Sequence, residues 1–213
     1  MGEKSIVSPE TLNVIELLEH MIKTISALLY EFKDYRNPYD HIRLLVKDGS
    51  LIKLKRGLYE TSIDENPFVI ASVLYAPSYV SFQSALSFYG LIPERAVVVT
   101  SASLGARKNK NYRNSFGSFS YQDVPEKAYS LGLKWMENFG SPYFIATKEK
   151  ALCDLLAKIE PIPKENFEAF LYDDLRIDKE IFLTFNKPLV LSIAKTYQTK
   201  NVFTLLNYIM KEN

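Results

Sequence analysis

Residues 37–60 read NPYDHIRLLVKDGSLIKLKRGLYE, and the interpretation of this stretch decides the fold. Asn37 followed by Pro38, with Asp40 at the third helical position, is a good helix N-terminus, because the asparagine side chain accepts an orphan N–H and proline has none to orphan. Gly49 supplies the left-handed residue that ends the helix. Within it Ile42, Leu45 and Val46 share one face, and Tyr39, Asp40, Arg43 and Lys47 occupy the opposite one. After Gly49 the text SLIKLKRGLYE alternates as a short β-hairpin does: Ile52 and Leu54 point one way, Lys53 and Lys55 the other, and Gly57 permits positive φ in the turn.

Upstream, Ser8 can cap a helix expected to begin at Pro9. Leu12, Ile15, Leu18, Ile22, Ile25, Leu29 and Phe32 recur at steps of three and four, one continuous apolar stripe. Thr24 or Ser26 can cap a second helix, so the stripe divides into about 9–23 and 26–33. Helix, helix, helix, hairpin is the winged helix-turn-helix order, expected over residues 1–62.

Charge sharpens this expectation. The whole chain of 213 residues carries 26 Lys and Arg against 25 Asp and Glu, a formal net charge of +1, which points to no partner. Between Arg36 and Arg56, however, six cations (Arg36, Arg43, Lys47, Lys53, Lys55, Arg56) face only Asp40 and Asp48. A helix that enters a major groove needs polar side chains a turn apart, as Tyr39, Arg43 and Lys47 are, with Asp40 and His41 near its N-terminal end. Arginine reads guanine bidentately, while the hairpin cations Lys53, Lys55 and Arg56 would mainly anchor phosphates. A second basic stretch, LGARKNKNYRNSFG, places Arg107, Lys108, Lys110 and Arg113 where no acid occurs between Glu94 and Asp123. It reads as a mobile loop able to lie along a phosphate backbone. The competing interpretation is that these charges merely solvate a hairpin, a helix and a loop.

Beyond Glu60 the polar connector TSIDENP leads to a second domain, 63–213. Helices are expected at 67–75 and 81–89, strands in AVVVTSAS, SFSYQDV and PYFIAT, and a helix KEKALCDLLAKIE capped by Thr147. After Pro163 the chain reads as helical segments punctuated by Asp178, Pro188 and Asn201. Strands followed by segregated helices make this an α+β domain with a helical end. Tyr79, Ser81, Gln83, Ser84 and Arg95, together with the 107–113 loop, are polar groups in apolar surroundings and form a candidate surface.

Enzyme chemistry finds little purchase. GSFSYQDVPEK has the glycine and serine of a nucleotidyltransferase turn but lacks the paired acids that hold magnesium. Glu149-Lys150 lacks the spacing of a restriction-type nuclease. Cys153 sits among apolar helix residues and reads as packed, not reactive. With one cysteine and two histidines, His20 and His41, neither a disulfide framework nor a zinc site is expected. No nucleotide-binding glycine loop occurs, so no cofactor is expected. MGEKSIVSPE lacks the basic and apolar regions of a signal peptide, and no apolar run approaches a membrane span, so a cytoplasmic location is expected.

Several blocks in order, PSYVSFQSALSFYGLIPERAVVVTSAS, FGSFSYQDVP, YFIATKEKALCDLL and DDLRID, resemble the C-terminal domain of the AbiEi antitoxin family of type IV toxin–antitoxin abortive-infection systems. LLVKDGSLIKLKRGLYE resembles that family's N-terminal winged helix-turn-helix. The resemblance implies a repressor that binds repeats of double-stranded DNA in its own promoter; because one chain offers one recognition helix, pairing of two copies as a homodimer on inverted repeats is expected. It also implies that the second domain counteracts a nucleotidyltransferase-like toxin without a stable complex. The recognition helix falls on Asn37 to Lys47 and the wing on Lys53 to Tyr59. One departure is the turn KDYRN, which has no glycine. Two alternatives stay open: an interaction module whose degenerate winged helix binds protein through the Leu12–Phe32 stripe, and an orphan regulator without a toxin.

Overall fold

The computed structural model describes residues 21–94, 97–105, 109–138 and 140–211. Most of the first expected helix therefore lies outside the described residues. At its expected end, Lys23 is not helical: β1 (Lys23–Thr24) pairs antiparallel with a later strand, Lys23 opposite Tyr59 and Thr24 opposite Leu58. Thr24 then caps α1 (Ile25–Glu31), accepting a hydrogen bond from the Ala27 N–H at 3.2 Å. Helix α2 (Pro38–Asp48) begins and ends where its caps predict, with the Asn37 side chain accepting from the Asp40 N–H and Gly49 at φ 88°. Leu28 of α1, Ile42 of α2, Leu51 and Tyr59 form the small core between these elements.

The hairpin follows as β2 (Ile52–Lys55) and β3 (Leu58–Glu60), giving a three-stranded sheet in the order β1-β3-β2. Its register slips between Lys53 and Lys55: Lys53 faces Tyr59, but Lys55 faces Leu58. One extra residue in one strand reverses the alternation of side chains beyond it. Leu54 accordingly packs with Ile70, Ala71, Leu74, Phe119 and Tyr121, so the hairpin is held by helices on one side and by the following part of the chain on the other.

That part opens with α3 (Pro67–Leu74), capped by Asn66, then β4 (Ser78–Val80), α4 (Phe82–Phe88) and β5 (Val98–Ser103). A hairpin of β6 (Lys110–Asn114) and β7 (Gly117–Asp123) precedes the short α5 (Glu126–Tyr129). Strands β8 (Leu133–Asn138) and β9 (Ser141–Ala146) lead into α6 (Lys148–Leu156), with the Thr147 side chain accepting from the Lys150 N–H. The six strands form one mixed sheet, β6-β7-β5-β4-β9-β8, in which β4 runs parallel to β9 and β5 parallel to β7. The chain ends in helical turns, from Lys164–Asn166 through α7 (Phe167–Ala169) and a π-type turn Phe170–Asp174, then α8 (Lys179–Leu183), α9 (Lys187–Ala194) and α10 (Lys200–Lys211). The expected α+β class is what the structure has.

Besides β1, three strands of the large sheet were not legible. Strand β4 is only three residues long, β8 has the mixed composition LKWMEN, and β6 lies in the stretch read as a mobile loop. Residues 110–114 are instead an edge strand, paired along its length with β7 from Lys110–Tyr121 to Asn114–Gly117. Tyr112 leans edge-on against Tyr121, which gives the strand an apolar side. Its charged residues are what a sheet edge needs to avoid pairing with another chain.

Candidate nucleic-acid interface

Burying Ile42 against Leu28 and Tyr59 turns the opposite side of α2 to solvent. Tyr39, Asp40, Arg43 and Lys47 are all exposed, Arg43 with 80% of its side chain accessible. Arg43 is not splayed at random: its guanidinium donates to Asp40 Oδ1 at 2.8 Å, and the Asn37 amide donates to Asp40 Oδ2. Asp40 thus orients Arg43 as well as opening the helix. An exposed pair of this kind adds little to stability. At the far end the Ser50 N–H donates to Asp48 at 2.9 Å and holds its carboxyl below the usual carboxylate range.

His41 occupies a different place. Its ring stacks on Tyr35 at 3.9 Å and meets Phe32 edge-on at 4.7 Å, a three-ring contact that ties the turn after α1 to the first turn of α2. The turn KDYRN, without a glycine, is therefore fixed by aromatic packing. His41 serves as a brace for the angle between the two helices.

On the hairpin the expected residues divide. Lys53 and Arg56 are exposed. Lys55 departs from the expectation: its ammonium donates to the Leu74 carbonyl at 2.7 Å and lies 3.4 Å from that of Val73. The bulge is the reason, since it sets Lys55 opposite Leu58, on the side that packs against α3. A cation on the last carbonyls of a helix satisfies orphan acceptors and suits the negative end of the helix dipole. Lys55→Met is expected to lower stability by about 1–2 kcal/mol in denaturant titration while leaving the salt dependence of any DNA affinity unchanged. Tyr59 also departs: it is buried in the core shared by α1 and α2 and offers no surface to a phosphate.

The second basic stretch joins this edge. Arg107 and Lys108, like Arg95, lie outside the described residues, but Lys110 and Arg113 are exposed on β6. The Asn114 amide next to Arg113 donates to the Leu54 carbonyl at 3.2 Å, so the edge strand of the large sheet abuts the hairpin of the small one. Two cationic segments far apart in the chain are thereby brought side by side.

The polar residues singled out in the second part of the chain behave otherwise. Tyr79 and Ser81 are buried, and both hydroxyls donate to Asp154 Oδ2, at 3.0 and 2.6 Å. Asp154 Oδ1 accepts from the Lys150 ammonium at 2.8 Å and from the Tyr197 hydroxyl. Lys150 also sits over the rings of Tyr197 and Tyr79. Burial, reinforced by the Asp154 charge, raises the pKa of both phenols, which keep their protons and act as donors. Lys150 and Asp154 are completely buried, as is Cys153 between them, whose thiol burial pushes up. This cluster joins β4, α6 and the segment before α10. It has the polar groups of an active site and none of the access. Sequence reading weighed Lys150 only with Glu149, as a nuclease pair; the signal for the cluster was a lysine and an aspartate one turn apart on a helix that also carries Ala151, Leu152, Leu155 and Leu156. Of the others, Ser84 bonds to Thr100 and Gln83 is exposed.

Among the described residues no group of three or more acidic, histidine or cysteine side chains is placed to hold a metal, and no helix is long and apolar enough to cross a membrane.

No protein-family model matches the chain. No curated protein matches it. Among solved structures, the crystal structure of the RV2827C protein from Mycobacterium tuberculosis is similar with a TM-score of 0.49 at 13% sequence identity, over 95% of this chain and 80% of that one.

Proposed function

We propose that the chain is a DNA-binding transcriptional repressor whose residues up to about 62 form a winged helix-turn-helix. The observation that carries this reading is the outward face of α2, with Tyr39, Arg43 and Lys47 exposed, followed directly by a hairpin with exposed Lys53 and Arg56. The strand order β1-β3-β2 around two helices supports the same reading. Helix α2 enters the major groove, where Arg43, steadied by Asp40, reads guanine. Arg56 and Lys53 grip phosphates, and Lys110 and Arg113 extend the cationic track onto β6. Lys55 and Tyr59 drop out of the contact set.

A single chain offers one recognition helix, so the target is an inverted repeat occupied by two copies. On the resemblance of its sequence to AbiEi antitoxins, we take that repeat to lie in the chain's own promoter. It also gives the second part of the chain the role of counteracting a nucleotidyltransferase-like toxin without a lasting complex. Neither role calls for catalysis, metal or cofactor.

The direct test is a gel shift on the DNA immediately upstream of the chain's own gene. Arg43→Ala should cost about 1–3 kcal/mol on the operator and relax discrimination at one base position. Arg56→Ala should weaken binding to all sequences alike and lower the salt slope by about one unit. If both variants affected operator and random DNA equally, the division of roles between helix and hairpin would be wrong. Retention on heparin that collapses in moderate salt would favour DNA binding, whereas salt-indifferent self-association would favour the interaction-module reading.

A further inference from the structure

Helix α10 buries Asn201, Val202, Leu205 and Ile209 and leaves its other side unpartnered. Two hollows of about 600 and 330 Å³ run along that side, and both are lined by Lys164, Thr204 and Asn207, so they form one continuous groove. Its far wall is the extended segment from Pro161 to Lys164. From Lys200 to Lys211 the groove follows three turns of helix, about 16 Å at 1.5 Å per residue. Phe203 and Met210 are about half exposed in it, at 47% and 52%.

Among the described residues the charges that line the groove are of one sign. Lys200 lies at one end, Lys211 at the other and Lys164 between, and no carboxylate of the described residues lines it. Glu160 and Glu165 flank the wall in sequence without lining the groove. Among the described residues none of the three lysines makes a salt bridge. The first turn of α10 carries no acid, so Lys200 sits unrelieved at the positive end of the helix dipole.

We infer that this groove is a docking site for an acidic amphipathic helix of a partner protein. Three separated ammonium groups around an apolar floor call for carboxylates flanking an apolar ridge. A helix with apolar residues three and four apart offers that ridge, and it lies along α10 as helices do in hydrophobic grooves. The exposed Phe203 and Met210 distinguish the site from a phosphate-binding surface, which needs no apolar floor. The site lies on the helical end of the chain and does not depend on the DNA-binding reading.

The test is a fluorescence anisotropy titration of the full chain with three labelled peptides of about 16 residues, four helical turns. The first is an acidic amphipathic helix with leucines on one face and glutamates elsewhere; the second replaces its glutamates by lysine; the third is oligoglutamate of equal charge. The first should bind saturably, and the other two at least about tenfold more weakly, a difference of 1.4 kcal/mol. Phe203→Glu and the pair Lys164→Glu with Lys200→Glu should each weaken the first peptide by a similar factor. Because these side chains are on the surface, unchanged circular dichroism is expected, and Phe203→Ser repeats the test with a smaller perturbation. Four results would each overturn the inference: no saturable binding of the first peptide, equal binding of oligoglutamate, no effect of the substitutions, or displacement by duplex DNA, which would assign the face to nucleic acid. A concentration-dependent dimer dissolved by Phe203→Glu would give the groove to a second copy of the chain, which also overturns it.

Discussion

Asp154→Ala is expected to lower the unfolding free energy by about 3–5 kcal/mol, the loss that follows when one member of a buried ion pair is removed and the other remains. The aspartate is the acceptor for the Tyr79, Ser81 and Tyr197 hydroxyls and for the Lys150 ammonium at once. Without it a fully buried ammonium keeps only the Tyr197 hydroxyl, 2.6 Å away, and two aromatic faces. Against a typical total of about 5–15 kcal/mol, such a loss brings the chain near its unfolding threshold. Lys150→Met with Asp154→Leu should recover part of it, because an apolar pair leaves no buried charge, though three hydroxyls then lack their acceptor. Urea titration of the two variants measures the difference, and a loss below about 1 kcal/mol for Asp154→Ala would show that the cluster is looser than its distances imply.

The same cluster makes the fold sensitive to alkali. Tyr79 and Tyr197 keep their protons in the folded chain, where burial raises their pKa, but lose them near 10 once unfolded. The unfolded state then binds fewer protons than the folded one, so stability is intact below about pH 10 and falls as pH rises beyond it.

Asn201→Leu is expected to cost about 2–4 kcal/mol, from one or two buried backbone groups left unsatisfied at about 1–3 kcal/mol each. The Asn201 amide lies within 3.2 Å of the carbonyls of Leu156, Ile159 and Glu160, three acceptors sharing two hydrogens, and its oxygen accepts from the Ile162 N–H at 2.8 Å. One side chain in the first turn of α10 thus closes the irregular backbone between α6 and the helical end. Leucine has nearly the same shape and none of the hydrogen bonds, so the change isolates them from packing. Native-state hydrogen exchange should show the Ile162 amide losing protection; unchanged protection there would mean that a neighbouring group takes over. The sequence suggests Asn201 only as punctuation between helical segments, because one asparagine looks the same whether it caps its own helix or clamps a loop forty residues away.

How far the site was legible follows the same division. The exposed row Tyr39, Arg43 and Lys47 could be read directly, since helical spacing and the opposed apolar residues Ile42, Leu45 and Val46 fix which side turns outward. His41, expected with Asp40 near the N-terminal end that approaches bases, packs on Tyr35 and Phe32. Aromatic contacts across a turn depend on the angle between two helices, which no local pattern records. Lys55 and Tyr59 misled for another reason. Strict alternation assigns Lys55 to the surface beside Lys53, and a single bulge in β2, invisible in composition, sends it to the α3 carbonyls; Tyr59 belongs to the wing only by the resemblance, and the core of α1 and α2 claims it.

What the sequence determined by itself is the run of elements whose ends are marked chemically. Asn37-Pro38, Asn66-Pro67, Thr147 and Asp178 all accept the N–H bonds of the helices they begin, and Gly49 ends α2 in the left-handed region. These interactions span only a few residues, so the residues that make them also announce them. What only the tertiary structure decided is which polar groups meet across long separations: Asn114 with Leu54, Lys55 with Leu74, Tyr79 with Asp154. The first two are partly buried and the third completely so, and there no water can replace the partner; burial is a property of the whole packed chain.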